Sequence, residues 1–288
     1  MLDLYNIEGS VNLDTHPCFD DPKTYPRFQE ELEEFKNLLV QLVENNESKT
    51  FYKFGDGDFY FLTKQSVGSA TPGRRALRKN YDQIDHQAFV DGAQLCDYYT
   101  CEIYPNNRKH FREVIPETEI DYPAEYGYGL VANKWIFETF AGKIGLIGAD
   151  QKMNIIKNLM EAPQYQDYLG LEKFEDYIFL PQMFACDDLD LTEQMVAEQL
   201  KNSSSKIYLM GMGHVKSGLI HRLKKYTDAV FLDVGSSIDA IAGIIDVERP
   251  YVGDWTNYQI DEEELYEGVD FLQYEAKGKH VTLERCDG

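Results

Sequence analysis

Apolar residues at Phe28, Leu32, Phe35, Leu38, Leu39 and Leu42 recur at helical spacing with polar residues between them. They predict an amphipathic helix over residues 28–44. A turn follows at 45–49, and Phe51-Tyr-Lys-Phe54 reads as a short strand whose aromatics suit a pleated surface. Residues 82–99 read as a helix with Ile84, Phe89, Ala93 and Leu95 inward. Residues 105–126, punctuated by Pro105, Pro116 and Pro123, read as an irregular lid or acceptor-facing loop. From Leu130 the pattern becomes regular. A helical run over 130–140 precedes apolar strands at 143–148, 176–181, 206–210 and 229–233. Helices are expected between them, through Leu159, over 191–200 and over 219–226. Strands alternating with helices across short loops imply parallel βαβ units, hence an α/β fold: a mostly parallel sheet with helices on both faces. Residues 279–284 read as a last edge strand.

The whole chain, 1–288, is expected to form a single domain. Residues 1–26 would be an N-terminal arm and residues 246–288 an acidic C-terminal extension. No internal repeat interrupts it. At 43% hydrophobic residues, with 20 Tyr and 16 Phe, the chain can fill a core of that size. The net charge of -22 argues against a nucleic-acid footprint and against docking on anionic lipid. A nucleotide ligand stays compatible with it, because local cations can reverse the field inside one cleft. Five cysteines without a CxxC pair argue against a disulfide framework or a structural zinc. The N-terminus lacks a signal-peptide pattern, and no apolar run is long enough to span a bilayer. A cytoplasmic protein is the expectation. Whether it forms a homo-oligomer is left open.

Three loops fall at expected strand ends, where parallel sheets bind ligands. In Gly55-Asp-Gly-Asp58, permissive glycines flank two acids. Asp56 and Asp58 suit a magnesium-type ion that bridges phosphates, and equally suit capping of the next helix. In Gly211-Met-Gly-His-Val-Lys-Ser-Gly218, glycines expose backbone N–H groups at a helix start, which favours an anion. Gly211, Gly213, His214, Lys216 and Ser217 are its candidate contacts. The run is neither a P-loop nor a dinucleotide fingerprint, and a histidine placed like His214 is more often a cap or a packed side chain than a catalyst. In Leu232-Asp-Val-Gly-Ser-Ser-Ile-Asp239, Asp233 or Asp239 could serve as a general base for a sugar hydroxyl, and Asp239 reads equally as the cap of the following helix. Arg74, Arg75, Arg78 and Lys79, behind a Gly/Pro loop, form either a cationic wall for phosphate or the solvated face of a short helix.

Together the three loops resemble the GT-D-type glycosyltransferases. That family opens with Arg-Phe-Gly-Asp-Gly-Glu after a strand, and Lys53-Phe-Gly-Asp-Gly-Asp58 corresponds to it here. The runs at 210–218 and 233–239 resemble its later Leu-Gly-Pro-Thr-Ala and Asp-Ile-Gly-His-Ile-Asp segments. The likeness covers roughly residues 50 to 245. Asp58 replaces the family's Glu, and Ser236-Ser237 stands where the family has a histidine. The resemblance implies a Rossmann-like, GT-D-like sheet and transfer of a hexose from a nucleotide-sugar donor (UDP-glucose-like) to a saccharide or glycan acceptor. It implies Mn2+ or Mg2+ on Asp56 and Asp58, with Lys53, Gly55, Arg74, Arg75 and the 211–217 loop on the donor. Two other readings stand beside it. Val230-Phe-Leu-Asp-Val-Gly also resembles the cofactor turn of an S-adenosylmethionine-dependent methyltransferase, and the chain could be a non-catalytic carbohydrate- or protein-binding module.

Overall fold

A computed structural model describes residues 28–64, 84–103, 105–181 and 185–244, and the backbone of 258–259 and 281–282. The opening helix, α1 (Phe28–Glu44), buries Leu32, Phe35, Leu39 and Leu42, the stripe its spacing predicts. It leads into β1 (Lys49–Phe54) and the short α2 (Asp56–Leu62). After α3 (His86–Ala93) come β2 (Tyr98–Cys101), α4 (Pro105–Val114), β3 (Tyr122–Pro123), α5 (Ala124–Ala132) and α6 (Trp135–Thr139). The regular half follows: β4 (Ile144–Ala149), α7 (Asp150–Leu159), α8 (Pro163–Leu169), β5 (Asp176–Leu180), α9 (Leu189–Leu200), β6 (Ile207–Gly211), α10 (Lys216–Leu223), β7 (Val230–Asp233) and α11 (Ser237–Ile241).

Seven strands form one sheet in the order β3-β2-β1-β7-β6-β4-β5, and each described pairing is parallel. The expected α/β architecture is therefore present. Alternation along the strands feeds two apolar layers. Phe51, Leu146, Leu209 and Leu232 pack on one face with α1, α7, α8 and α11. Tyr52, Ile147, Met210 and Phe231 pack on the other with α2, α3, α9 and α10. Each fully buried large apolar side chain stabilises the fold by about 1.5–3 kcal/mol.

Sheet topology fixes where a ligand can sit. The chain leaves β1 toward the α2 face, β7 toward the α11 face, β6 toward the α10 face and β4 toward the α7 face. These four strands are neighbours, so their outgoing loops splay to opposite sides. A crevice opens above their carboxyl ends, as in other doubly wound sheets.

Four readings of the sequence need correction. The helix expected over 82–99 ends at Ala93, and Tyr98–Cys101 is a strand. Tyr98 and Tyr99 pair in register with Phe51 and Tyr52, and pairing with β1 outweighs the helical spacing of the flanking residues. Residues 105–126 are not one loop. Pro105–Val114 is a helix whose buried side joins the polar Asn107 to Phe111 and Val114, so its apolar stripe is too thin to read. The helical run over 130–140 divides into α5 and α6 at Lys134, which lies at φ 66. Finally, Val281–Thr282 pairs with Tyr258–Gln259 outside the seven-stranded sheet. Among the described cysteines Cys96, Cys101 and Cys186 are free thiols. No described helix is long and apolar enough to cross a membrane.

Candidate functional site

The three loops singled out by sequence converge on one cleft of about 230 Å3. Its β1 side is Gly55–Asp58, with Lys53 beneath. Gly211, Gly213, His214 and Lys216 line its β6 side, and Asp233, Gly235, Ser236 and Asp239 its β7 side. Lys152, in the first turn of α7, completes the β4 side. Close packing holds the walls together: a Cβ at Gly211 would lie 2.9 Å from the Gly235 carbonyl and 2.8 Å from Ile238. Gly235 itself sits at φ +52, a backbone region that favours glycine.

The two aspartates of the first loop part ways. Asp58 is buried. Its Oδ2 accepts the Gly55 N–H at 2.8 Å and lies 3.2 Å from Lys216 Nζ, and its Oδ1 accepts the Tyr52 hydroxyl at 3.2 Å. It therefore caps α2 from within, the capping alternative its sequence allowed. Asp56 is exposed at the cleft, with Oδ1 accepting the Gly57 N–H at 2.7 Å.

Lys216 is a buried fastener. Its ammonium donates to Asp233 Oδ2 at 2.7 Å and to the Lys53 carbonyl, pairs with Asp58, and lies 4.9 Å over the Tyr52 ring. Burial alone would lower its pKa, but Asp233 and Asp58 outweigh that and hold it raised. Its three donors are committed, which takes it away from the donor-binding role expected of it. Ser217 is likewise spent: it is fully buried and hydrogen-bonds Tyr52 at 2.8 Å, behind the cleft wall.

Lys53 is different. Its ammonium lies 3.2 Å from Glu102 Oε1 and 5.3 Å from the Tyr128 ring centre, in a gap left by Gly55 and Gly235. Burial pulls its pKa down, while Glu102, Asp58 and Asp233 more than offset this, so it stays cationic. Its carboxylate partner is fixed by Tyr128 at 3.0 Å and Asn107 at 2.9 Å. His214 stacks on Phe61, with ring centres 4.8 Å apart and planes at 21°, and its edge reaches Gly57. Asp239, on α11, meets the Lys152 ammonium instead of capping the helix. Arg74 and Arg75 lie outside the described residues.

No protein-family model matches this chain, and no curated protein is significantly similar in sequence. Among solved structures the chain is similar to a glycosyltransferase (DUF1792) from Streptococcus sanguinis, with TM-score 0.48 and 13% identity. The alignment covers 81% of this chain and 91% of that one. What the cleft can do follows from its own side chains.

Among the described residues three lysines face four aspartates across the lining, a set that by itself is slightly negative toward a diphosphate. Among the described residues no three His, Cys, Asp or Glu side chains gather as a metal cage. Magnesium-type ions do not require one, since a single carboxylate with phosphate oxygens and water suffices. The cleft fits an ion held in that way on Asp56. It fits a paired Asp56–Asp58 centre poorly, because Asp58 already accepts an amide, a hydroxyl and an ammonium.

Sequence reasoning passed over Tyr52, Glu102, Tyr128 and Lys152. Only Lys152 carried a usable signal, its place one turn into the helix after β4. The strand-and-glycine turn at 230–235 is the sheet's last strand. Its acid, Asp233, is occupied by Lys216, the Lys53 N–H at 3.2 Å and the Gly235 N–H at 3.0 Å. No carboxylate there is free for the ribose of a methyl donor.

Proposed function

We propose that the protein is a glycosyltransferase that moves a hexose from a nucleoside-diphosphate sugar, UDP-glucose-like, to a saccharide or glycan acceptor. The observation that carries this reading is the Lys53 ammonium. It is held charged at the cleft floor between two glycine loops, at the carboxyl ends of parallel strands. An anion that needs both close backbone approach and a fixed cation suits that place.

In this reading the diphosphate lies against Lys53 and the N–H groups at the start of the 213–216 turn. Mn2+ or Mg2+, held by Asp56, would shield the charge that collects on the leaving group. Asp58 and Asp233 act through Lys216, which ties the β1, β6 and β7 loops into one rigid floor. The acceptor hydroxyl attacks the anomeric carbon, the bond to the β-phosphate oxygen breaks, and Asp239 takes the hydroxyl proton.

A panel of nucleotide sugars assayed for metal-dependent hydrolysis and transfer, with native protein and Asp56→Asn, tests the proposal. One donor cleaved by the native protein, with loss of metal stimulation in the variant, supports it. No cleavage of any donor, with or without metal, refutes it.

A further inference from the structure

Among the described residues three lysines line the cleft, and their surroundings divide them. Lys216 is 7% exposed and spends its donors on Asp58, Asp233 and a carbonyl. Lys53 is 14% exposed and fixed by Glu102. Lys152 is 26% exposed, projects from the first turn of α7, and pairs with Asp239 of α11, itself 20% exposed. Energetics separate the pairs in the same way. Breaking a buried pair such as Lys216–Asp233 strands an uncompensated charge away from water, whereas at Lys152–Asp239, the less buried pair, water can take up part of the charge when the partners separate. An incoming dianion would leave the Lys216 pair intact and could readily outcompete Asp239 for Lys152.

We propose that Lys152 is an exchanging cation. Before the donor binds it covers the Asp239 carboxylate. When the diphosphate enters, Lys152 turns to it and uncovers Asp239 for the acceptor hydroxyl. This deepens the transferase reading and rests on it. The acceptor is thereby activated only on donor-loaded enzyme: its oxygen bonds to the anomeric carbon, its proton passes to Asp239, and the nucleoside diphosphate departs with the bonding electron pair. An uncovered base in the absence of donor would have no substrate to serve, and an ammonium parked on it keeps both groups near their working positions. Lys152 is a binding and positioning residue in this scheme, while Asp239 touches the reacting hydroxyl.

Calorimetric titration of UDP and of inorganic pyrophosphate, at fixed Mn2+, tests the exchange on native protein, Lys152→Ala and Asp239→Asn. Lys152→Ala is expected to weaken both ligands about ten- to a hundredfold, the usual worth of a charged hydrogen bond. Asp239→Asn is expected to tighten both about two- to fivefold, because the competitor for Lys152 has lost its charge. A pair that only ties α7 to α11 would instead lose affinity in both variants. Urea midpoints report whether each variant is folded, and Lys152→Gln replaces Lys152→Ala if the latter is not. Native-like affinity in the Lys152 variant, or weakened affinity in Asp239→Asn, overturns the exchange and leaves the transferase reading standing. Failure of native protein to bind either ligand overturns both.

Discussion

Lys216 Nζ stands 2.7 Å from Asp233 Oδ2 and 3.2 Å from Asp58 Oδ2, so one ammonium at the start of α10 joins the end of β7 to the first turn of α2. With its side chain 7% exposed, Lys216→Met would leave two buried carboxylates without their cation. A loss of about 3–5 kcal/mol in urea unfolding is expected. Adding Asp233→Asn should restore part of it, because the uncompensated charge is then removed. A loss below about 1 kcal/mol in the single variant would show that the ammonium is not a fastener.

The two aspartates of the first loop should separate in experiment. Asp56→Asn, at an exposed position, is expected to shift stability by no more than about 0.5 kcal/mol while abolishing metal-stimulated donor turnover. Asp58→Asn removes the charge opposite Lys216 and weakens the contact to the Gly55 N–H, and should cost about 2–4 kcal/mol. Paired thermal melts and turnover assays read both outcomes. Equal destabilisation by the two variants would contradict the division of roles.

Close packing behind the cleft predicts the effect of one added methyl group. Gly211→Ala would press on the Gly235 carbonyl and Ile238 at under 3.0 Å. A cost of about 1–3 kcal/mol is expected, together with weaker UDP binding as the β7 loop is pushed away from Lys53. Unchanged affinity in a folded variant would mean that this contact does not set the cleft's shape.

His221 gives a pH dependence with a definite sign. Burial first, then the neighbouring Arg222 and Lys225, depress its pKa from 6.5 to about 4. Between those values the unfolded chain binds the proton and the folded chain does not. Stability contributed by neutral His221 is therefore complete above pH 6.5, is lost as pH falls toward 4, and levels off below. His221→Gln should flatten that part of the urea-stability profile between pH 6.5 and 4. An unchanged slope would contradict the shift.

Much of this architecture was legible because its signals are local. The stripe of α1 and the strand–helix alternation after Leu130 needed only periodicity and turn chemistry, and the three glycine-bearing loops announced themselves at strand ends. The rest depended on contacts between distant segments. Tyr98 and Tyr99 become strand because β1 lies beside them. Asp56 and Asp58, identical in type and two residues apart, take different roles because Lys216, far along the chain, comes to rest against only one. Glu102 and Tyr128 are unremarkable in sequence and acquire meaning only around Lys53. Lys152 shows its place when α7 docks beside α11.

The most direct test is a crystal structure of the protein soaked with UDP and Mn2+. The account predicts the diphosphate within hydrogen-bonding reach of Lys53 Nζ and the Gly213–His214 backbone N–H groups, with the ion on Asp56. Nucleotide bound away from this cleft, or with its phosphates turned away from Lys53, would contradict it.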